Sequence, residues 1–188
     1  MMVVGHGGDV IDELTTDHRE VDALFEELQA AAPGSFERKR LLDKVTIELV
    51  RHSVAEEEHL YPAVRRHLAG GDAVADKEIA DHSRVEKLLK ELEGRGVDAA
   101  DFDELVTKLK AEVTSHVQDE EQNLFVRLRQ ACDENELSEL GERVRRAKTT
   151  APTRPHPSAP DTPPGNKLLA PGAGLVDRAR DFVTGRGK

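Results

Sequence analysis

Residues 49–63 read LVRHSVAEEEHLYPA, and this segment is the most informative about the architecture of the chain. A series of its positions is spaced alternately three and four residues apart, which is typical of the buried seam of a packed helix. The seam positions are Leu49, His52, Glu56, His59 and Ala63. Polar residues therefore interrupt an otherwise apolar seam, which predicts a helix that contributes to a polar centre inside a bundle.

The same spacing recurs elsewhere and predicts four long helices followed by a short one. Their approximate ranges are 10–31, 36–69, 72–93, 101–132 and 136–148. Glycine and proline residues separate them, while Pro62 lies inside the second helix and predicts a kink there. Short loops between long helices predict an all-α, up-down-up-down four-helix bundle.

The charge is unevenly distributed along the 188 residues, whose formal net charge is -10. Residues 1–144 carry 18 basic and 34 acidic side chains (net -16), and residues 145–188 carry nine and three (net +6). An acidic body predicts no nucleic-acid binding, which needs a basic surface. The low aromatic content of 3% favours helices over strands.

The N-terminal eight residues have neither a basic run nor an apolar core, and no stretch approaches the roughly 18 apolar residues of a membrane span. We therefore predict no signal peptide, no transmembrane segment and a cytoplasmic location. Cys132 is the only cysteine, which predicts no disulfide framework and no thiolate metal site.

The composition changes after residue 148, which predicts a bundle at 1–148 and a separate tail at 149–188. Seven of the nine prolines lie between Pro152 and Pro171. This predicts a disordered, partly extended linker from 149 to about 171, and then a short amphipathic segment at 174–183. The basic charge of the tail and its amphipathic segment suggest that it docks on the acidic bundle, on a partner or on a membrane. The alternative is a disordered tail that keeps the protein in solution.

Each long helix carries a histidine followed four residues later by a carboxylate. The pairs are His18/Asp22, His52/Glu56, His82/Glu86 and His116/Glu120. Residues at i and i+4 share a helix face, so such a pair can bind one metal ion or span two. Burying these groups without a counter-charge costs several kcal/mol, which divalent cations offset. Imidazole and carboxylate ligands suit iron, manganese or zinc, and two ions held by bridging carboxylates point to iron first.

Four short motifs carry a family resemblance. They are Asp17-His18, His52-x-x-x-Glu56-Glu57-x-x-Leu60-Tyr61-Pro62, Asp81-His82, and His116-x-x-x-Glu120-Glu121-x-x-Leu124-Phe125. Through them the chain resembles the hemerythrin-like (HHE cation-binding) family over about residues 10–146. The resemblance implies two non-heme iron ions with an oxo or hydroxo bridge. It implies terminal ligands and bridging carboxylates at these positions: His18, His52, His82 and His116 as terminal ligands, and Glu56 and Glu120 as bridges.

Two departures separate this chain from the oxygen-carrying hemerythrins that it resembles. Those proteins have His-x-x-x-His in the third helix, where this chain has Glu86, and their fourth-helix acid corresponds to Glu121. We prefer Glu120 because it lies on the seam. The more symmetric site favours redox or stress chemistry on oxygen, peroxide or nitric oxide over dedicated oxygen carriage. The alternatives are a non-enzymatic module for iron storage, delivery or sensing, and a structural bundle with hydrogen-bonded core histidines.

The remaining polar residues near the seam have weaker signals. Asp22 and Glu86 are expected to hydrogen-bond the ligand imidazoles. His59 is either a fifth nitrogen ligand or a core histidine, and Tyr61 either hydrogen-bonds near the site or packs. The other three histidines, His6, His67 and His156, are expected to be solvated.

Overall fold

Our computed structural model describes the backbone of residues 6–158 and 165–186, and the side chains of residues 6–158 and 172–186. All regular secondary structure in these described residues is helical. The helices are α1 (Val10–Ala30), α2 (Phe36–Ala55), α3 (Tyr61–His67), α4 (Gly71–Glu93), α5 (Phe102–Asp119), α6 (Phe125–Ala131), α7 (Glu134–Thr150) and α8 (Gly165–Thr184). The all-α fold is confirmed, and no described helix has the length and apolar character to cross a membrane.

Local sequence explains where the helices begin. The Asp9 carboxylate accepts hydrogen bonds from the backbone N–H groups of Ile11 and Asp12 at 2.8 and 3.0 Å. The Ser35 hydroxyl accepts one from the backbone of Arg38 at 3.1 Å. These side chains satisfy donors that a helix start leaves free, so α1 and α2 begin within a residue of their predicted positions.

Two of the four long helices predicted from the sequence are each interrupted by a π-helical turn that we did not predict. One turn (Glu56–Leu60) joins α2 to α3, and the other (Glu120–Leu124) joins α5 to α6. The predicted kink at Pro62 is replaced by the first turn, which leaves the proline in the opening turn of α3, where no N–H donor is needed. The extra residue rotates the side chains that follow by about 100°.

The bundle buries two apolar clusters with a polar layer between them. On α1, Leu14 belongs to one cluster and Val21 to the other, with the buried His18 between them. The first cluster includes Val64, Leu128 and Val144, and α7 packs across that end. Apolar packing on both sides therefore holds the polar layer in the middle of the bundle.

The C-terminal tail packs on the bundle. The Asp177 carboxylate accepts hydrogen bonds from the backbone of Thr153 and Arg154, each at 3.1 Å, and Arg154 reaches Glu93 of α4 at 2.8 Å. The predicted disordered linker is therefore wrong for residues 149–158, where Ala151, Pro152 and Thr153 are buried. Residues 159–164 lie outside the described residues.

The amphipathic segment predicted at 174–183 belongs to a longer helix, α8. Its polar face meets the bundle, since Asp177 is fully buried, while Leu175 and Phe182 stay exposed. The division into a bundle at 1–148 and a tail at 149–188 stays a prediction.

Candidate metal centre

Four buried histidines from four helices meet in the polar layer. His18 lies on α1, His52 on α2, His82 on α4 and His116 on α5. They form two pairs, because the rings of His18 and His52 are 5.0 Å apart and those of His82 and His116 are 4.8 Å apart. The structure thus brings together all four histidines that the i, i+4 pattern singled out.

Two fully buried carboxylates connect these pairs. Glu56 Oε2 lies 3.1 Å from His52 Nε2 and 3.2 Å from His82 Nε2. Glu120 Oε2 lies 3.5 Å from Nε2 of both His18 and His116. Each carboxylate therefore touches one histidine of each pair, which is the arrangement of a group that bridges two ions.

Several buried atoms of the centre have no hydrogen-bond partner among the described residues. They include His18 Nε2, Glu56 Oε1 and Glu120 Oε2. Leaving a buried polar atom unpaired costs about 1–3 kcal/mol. Cations placed among these atoms remove that cost, and the donor atoms of His18, His52, Glu56 and Glu120 lie within 4.8 Å of one another. The residues present fit a metal centre.

Each histidine ring is also held from its outer side by a second carboxylate, which lies close to Nδ1. The distances are 2.8 Å for His18 and Glu121, 3.1 Å for His52 and Asp17, 2.9 Å for His82 and Glu57, and 2.9 Å for His116 and Glu78. The contact is a hydrogen bond for His18, His52 and His82, whereas that of His116 with Glu78 lacks hydrogen-bond geometry. Because a carboxylate only accepts hydrogen bonds, these three neutral rings carry their proton on Nδ1 and keep the Nε2 lone pair toward the centre.

The expected roles of Asp22 and Glu86 are wrong. Asp22 is exposed, and Glu86 accepts a hydrogen bond from the backbone of His156 at 2.7 Å. Three of the four carboxylates that take this role directly neighbour a proposed ligand in the sequence: Asp17, Glu57 and Glu121. Adjacent residues point about 100° apart on a helix, so such a residue faces the next helix. The Asp-His and Glu-Glu pairs were the signal for these outer contacts.

Tyr61 takes the inner position that the sequence had offered to His59. The Tyr61 hydroxyl lies 3.0 Å from His82 Nε2, 3.2 Å from Glu120 Oε1 and 3.4 Å from Glu56 Oε2. His59 instead lines a surface cleft beside Glu58, so neither the fifth-ligand nor the core interpretation holds. The cause is the π-helical turn, which rotates Tyr61 onto the seam and His59 off it.

Mutual attraction sets the protonation of these groups. Burial acts to lower the pKa of His52, but the carboxylates of Glu56 and Asp17 raise it to about 10. Burial acts to raise the pKa of Glu56, but His52 and His82 keep it well below its usual value. Burial and the nearby carboxylates, Glu120 first, raise the pKa of Tyr61 well above its usual value, so this residue stays a hydrogen-bond donor.

A cleft of about 200 Å³ reaches the centre between α1 and α5. His18 lines its inner end, and Phe25 and Val117 contribute apolar walls. Glu121 also lines it, held by an ion pair with Arg19 at 2.6 Å. The cleft is a route by which a small molecule can approach the His18 side.

The histidines expected to be solvated each contact a carboxylate. The distances are 2.8 Å from His6 to Glu13, 2.7 Å from His67 to Glu136 and 2.9 Å from His156 to Asp177. All three lie outside the polar layer. His6 is exposed as expected, whereas His67 and His156 are half-buried.

Comparisons with known proteins give the family of the chain and two relatives. Residues 9–128 match the family described as hemerythrin HHE cation binding domain. An uncharacterized hemerythrin-like protein of Schizosaccharomyces pombe is 27% identical over 175 residues, which cover 93% of this chain and 86% of that protein. A DNA nickase of Nostoc sp. is 30% identical over 139 residues, which cover 73% of this chain but only 38% of the nickase.

A solved structure gives the same fold. The crystal structure of a hemerythrin HHE cation binding domain-containing protein from Mycobacterium kansasii superposes with a TM-score of 0.66 at 23% identity, covering 75% of this chain and 88% of that one. This likeness shows the helical bundle. The match over residues 9–128, together with the fold, shows that the chain belongs to the hemerythrin HHE cation-binding family.

Proposed function

We propose that the polar layer is a non-heme di-iron centre that binds or reacts with oxygen, peroxide or nitric oxide in a redox or stress response. The observation that carries the proposal is the sharing of two buried carboxylates between two histidine pairs. Glu56 contacts one histidine of each pair and Glu120 contacts the other two. A single ion would not need both pairs, whereas two ions use every one of these contacts.

The ligand assignment follows the pairs. His18 and His52 would hold one ion, and His82 and His116 would hold the other. Glu56 and Glu120, each in contact with both histidine pairs, would be shared between the two ions. Nitrogen and oxygen ligands without thiolate suit iron, which when bound supplies redox chemistry and open coordination positions.

The protein's own contribution is orientation and exclusion of water. The outer carboxylates fix the ring planes, so the Nε2 atoms are already directed inward before an ion binds. Apolar clusters pack on both sides of the centre, and the cleft beside His18 gives one approach to it. Tyr61, protonated and within 3.4 Å of both glutamates, is placed to donate a hydrogen bond inside the centre.

Iron storage or delivery is the competing function. It requires an ion that leaves readily, yet each imidazole here has a carboxylate beside its Nδ1 that orients the ring toward the centre. We infer a resident cofactor, and the rate of iron loss decides between the two. Transfer of iron to an excess of a strong chelator within seconds would favour storage or delivery, and retention over hours would favour the resident centre.

We do not extend DNA nicking to this chain. The nickase shares 38% of its length with it. Residues 1–144 have a net charge of -16, whereas affinity for nucleic acid depends on basic contacts to phosphate.

Elemental analysis tests the metal content. The full chain should hold about two irons when it is expressed with iron and purified without chelator, and His52→Ala/Glu120→Ala should hold far fewer. His156→Ala is the matched control, because this histidine contacts the tail and lies outside the centre. A folded wild-type chain without metal, or a double variant that keeps two irons, would refute the centre.

Anaerobic mixing of the iron(II) protein tests the ligand chemistry. Oxygen, peroxide and nitric oxide are added separately while the optical spectrum is followed, in the wild type and in Tyr61→Phe. Loss of the buried hydroxyl should leave the iron content unchanged and alter the rate or affinity for the responsive ligand by about tenfold, the scale of one charge-assisted hydrogen bond. If none of the three ligands changes the spectrum, the redox proposal fails and the storage alternative stands.

A further inference from the structure

A cluster of donors outside the polar layer sits where α3, α6 and α7 meet. His67 ends α3, Cys132 follows the last residue of α6, and Glu136 lies in the first turn of α7. One ligand atom from each lies within 4.8 Å of the other two. Imidazole, thiol and carboxylate are all zinc ligands.

The contact between His67 and Glu136 does not have the geometry of a hydrogen bond. His67 Nε2 lies 2.7 Å from Glu136 Oε1, yet the nitrogen is buried without a hydrogen-bond partner. An ion placed between the two side chains would give the unpaired His67 nitrogen a partner. In an ordinary surface ion pair the imidazole would rotate until its N–H pointed at the carboxylate oxygen, because a near-linear hydrogen bond is stronger.

The backbone at the junction fixes the positions of two donors. Cys132 is the extended residue that ends α6, and its N–H still donates to the Leu128 carbonyl at 3.0 Å. Asp133 then caps α7 by accepting a hydrogen bond from the backbone of Glu136 at 2.9 Å. Cys132 and Glu136 are thus held four residues apart on a rigid corner, before any ion binds.

We propose that His67, Cys132 and Glu136 form a second metal site that binds one Zn²⁺ and pins α7 to α3 and α6. Zinc bonds of about 2.0–2.3 Å in a tetrahedron place ligand atoms roughly 3.3–3.7 Å apart. Side-chain movements of about 1 Å bring the three donors to that spacing. The Zn–S bond forms as the S–H bond breaks and the proton passes to solvent, with no change of oxidation state.

Water completes the coordination. Glu136 also lines a surface cleft of about 180 Å³, together with Glu58 and His59. Through this cleft the ion can reach the site, and so can a water molecule that serves as the fourth ligand. The proposal departs from the sequence-based expectation of no thiolate metal site. That expectation rested on Cys132 being the only cysteine, whereas here this cysteine lies beside Glu136 and His67, and His67 is 65 positions away in sequence.

A redox role for the cysteine alone is disfavoured. Burial and the Glu136 carboxylate raise the pKa of the Cys132 thiol to about 11. A protonated, buried thiol is a poor nucleophile, so oxidation at neutral pH is slow.

Cobalt binding to the full chain tests the site, after the bundle centre has been loaded with iron. Because Cys132 is the only cysteine, a sulfur-to-cobalt charge-transfer band reports this site and no other. We expect one Co²⁺ per chain with that band, displaced by one equivalent of Zn²⁺. Cys132→Ser should abolish the band.

The other two ligands are tested by His67→Gln and Glu136→Gln. Each should weaken zinc binding by at least about tenfold, because outer-shell losses alone reach that scale. The matched control is Glu139→Gln, one turn along α7 and exposed, which should bind zinc as the wild type does.

Two outcomes overturn the proposal. One is the absence of the band in a wild type that circular dichroism shows to be folded. The other is a band that His67→Gln and Glu136→Gln leave unchanged, since the thiol would then bind cobalt alone. Iron content is read on the same samples and should stay the same in every variant, so failure here is independent of the di-iron proposal.

Discussion

Replacement of Glu121 by glutamine tests how the outer carboxylates act on the centre. Glu121 Oε1 accepts a hydrogen bond from His18 Nδ1 at 2.8 Å, and it lies on another helix, 103 residues away in sequence. Glutamine keeps the size and offers a neutral acceptor. The change removes the charge from this contact without removing the proposed ligand His18.

The expected magnitude follows from the two kinds of hydrogen bond. A bond to a charged acceptor contributes about 1.5–3 kcal/mol and a neutral one about 0.5–1.5, so the loss is roughly 1–1.5 kcal/mol. Glu121 is 23% exposed, and water screens part of this loss. We therefore expect about a fivefold weaker affinity for the ion that His18 binds. Glu57→Gln, at a more deeply buried carboxylate 2.9 Å from His82, should cost about tenfold.

Competition between the protein and a chromogenic iron(II) chelator, without oxygen, measures these affinities. Asp22→Asn is the matched control, because Asp22 lines the same cleft as Glu121 but is the residue that the i, i+4 pattern favoured. It should change the iron affinity by less than about twofold. The reasoning is refuted if Asp22→Asn weakens iron binding while Glu121→Gln does not.

Three further predictions concern stability. Leu89→Ala, at a core position that is 1% exposed, should lower the free energy of unfolding by about 2–5 kcal/mol in chemical denaturation, whereas Phe36→Ala, 82% exposed, should change it by less than about 0.5. Gly71→Ala should destabilise the α3–α4 corner by about 1–3 kcal/mol, because its Cβ would lie 2.2 Å from a backbone carbonyl; a thermal transition equal to the wild type would contradict this. Although burial acts to raise the pKa of Glu93, the hydrogen bond from Lys90 and the tail arginines lower it. The stabilisation from this carboxylate is therefore fully present above its usual pKa of 4.5 and is lost as the pH falls through the lowered pKa. The protection of α8 amides, measured relative to their intrinsic exchange rate at each pH, should therefore fall on acidification, and less so in Glu93→Gln.

Helices and proposed ligands were predictable because both depend on local spacing. A period of 3.6 residues places His52 and Glu56 on one face whatever surrounds them. Their burial follows from the apolar residues of the same seam, so the sequence alone places the candidate ligands in one layer. Capping residues such as Asp9 and Ser35 likewise set the helix starts without reference to the rest of the fold.

The outer contacts depended on the tertiary structure. Asp17 holds His52 across 35 residues, and Glu57 holds His82 across 25. Which carboxylate meets which ring depends on how neighbouring helices are rotated against each other, and a helical period does not contain that rotation. Asp22 satisfied the local pattern yet lies exposed on the outside of the bundle.

Helical spacing was enough to predict an all-helical chain with four histidines and two glutamates on buried seams. Packing between helices, in contrast, places Tyr61 rather than His59 in the centre and the tail against the bundle. The π-helical turn at 56–60 adds one residue to a turn, and packing against neighbouring helices selects it over the regular helix. Docking of the tail arises from contacts such as Arg154 with Glu93, between residues 61 positions apart, which no local pattern encodes.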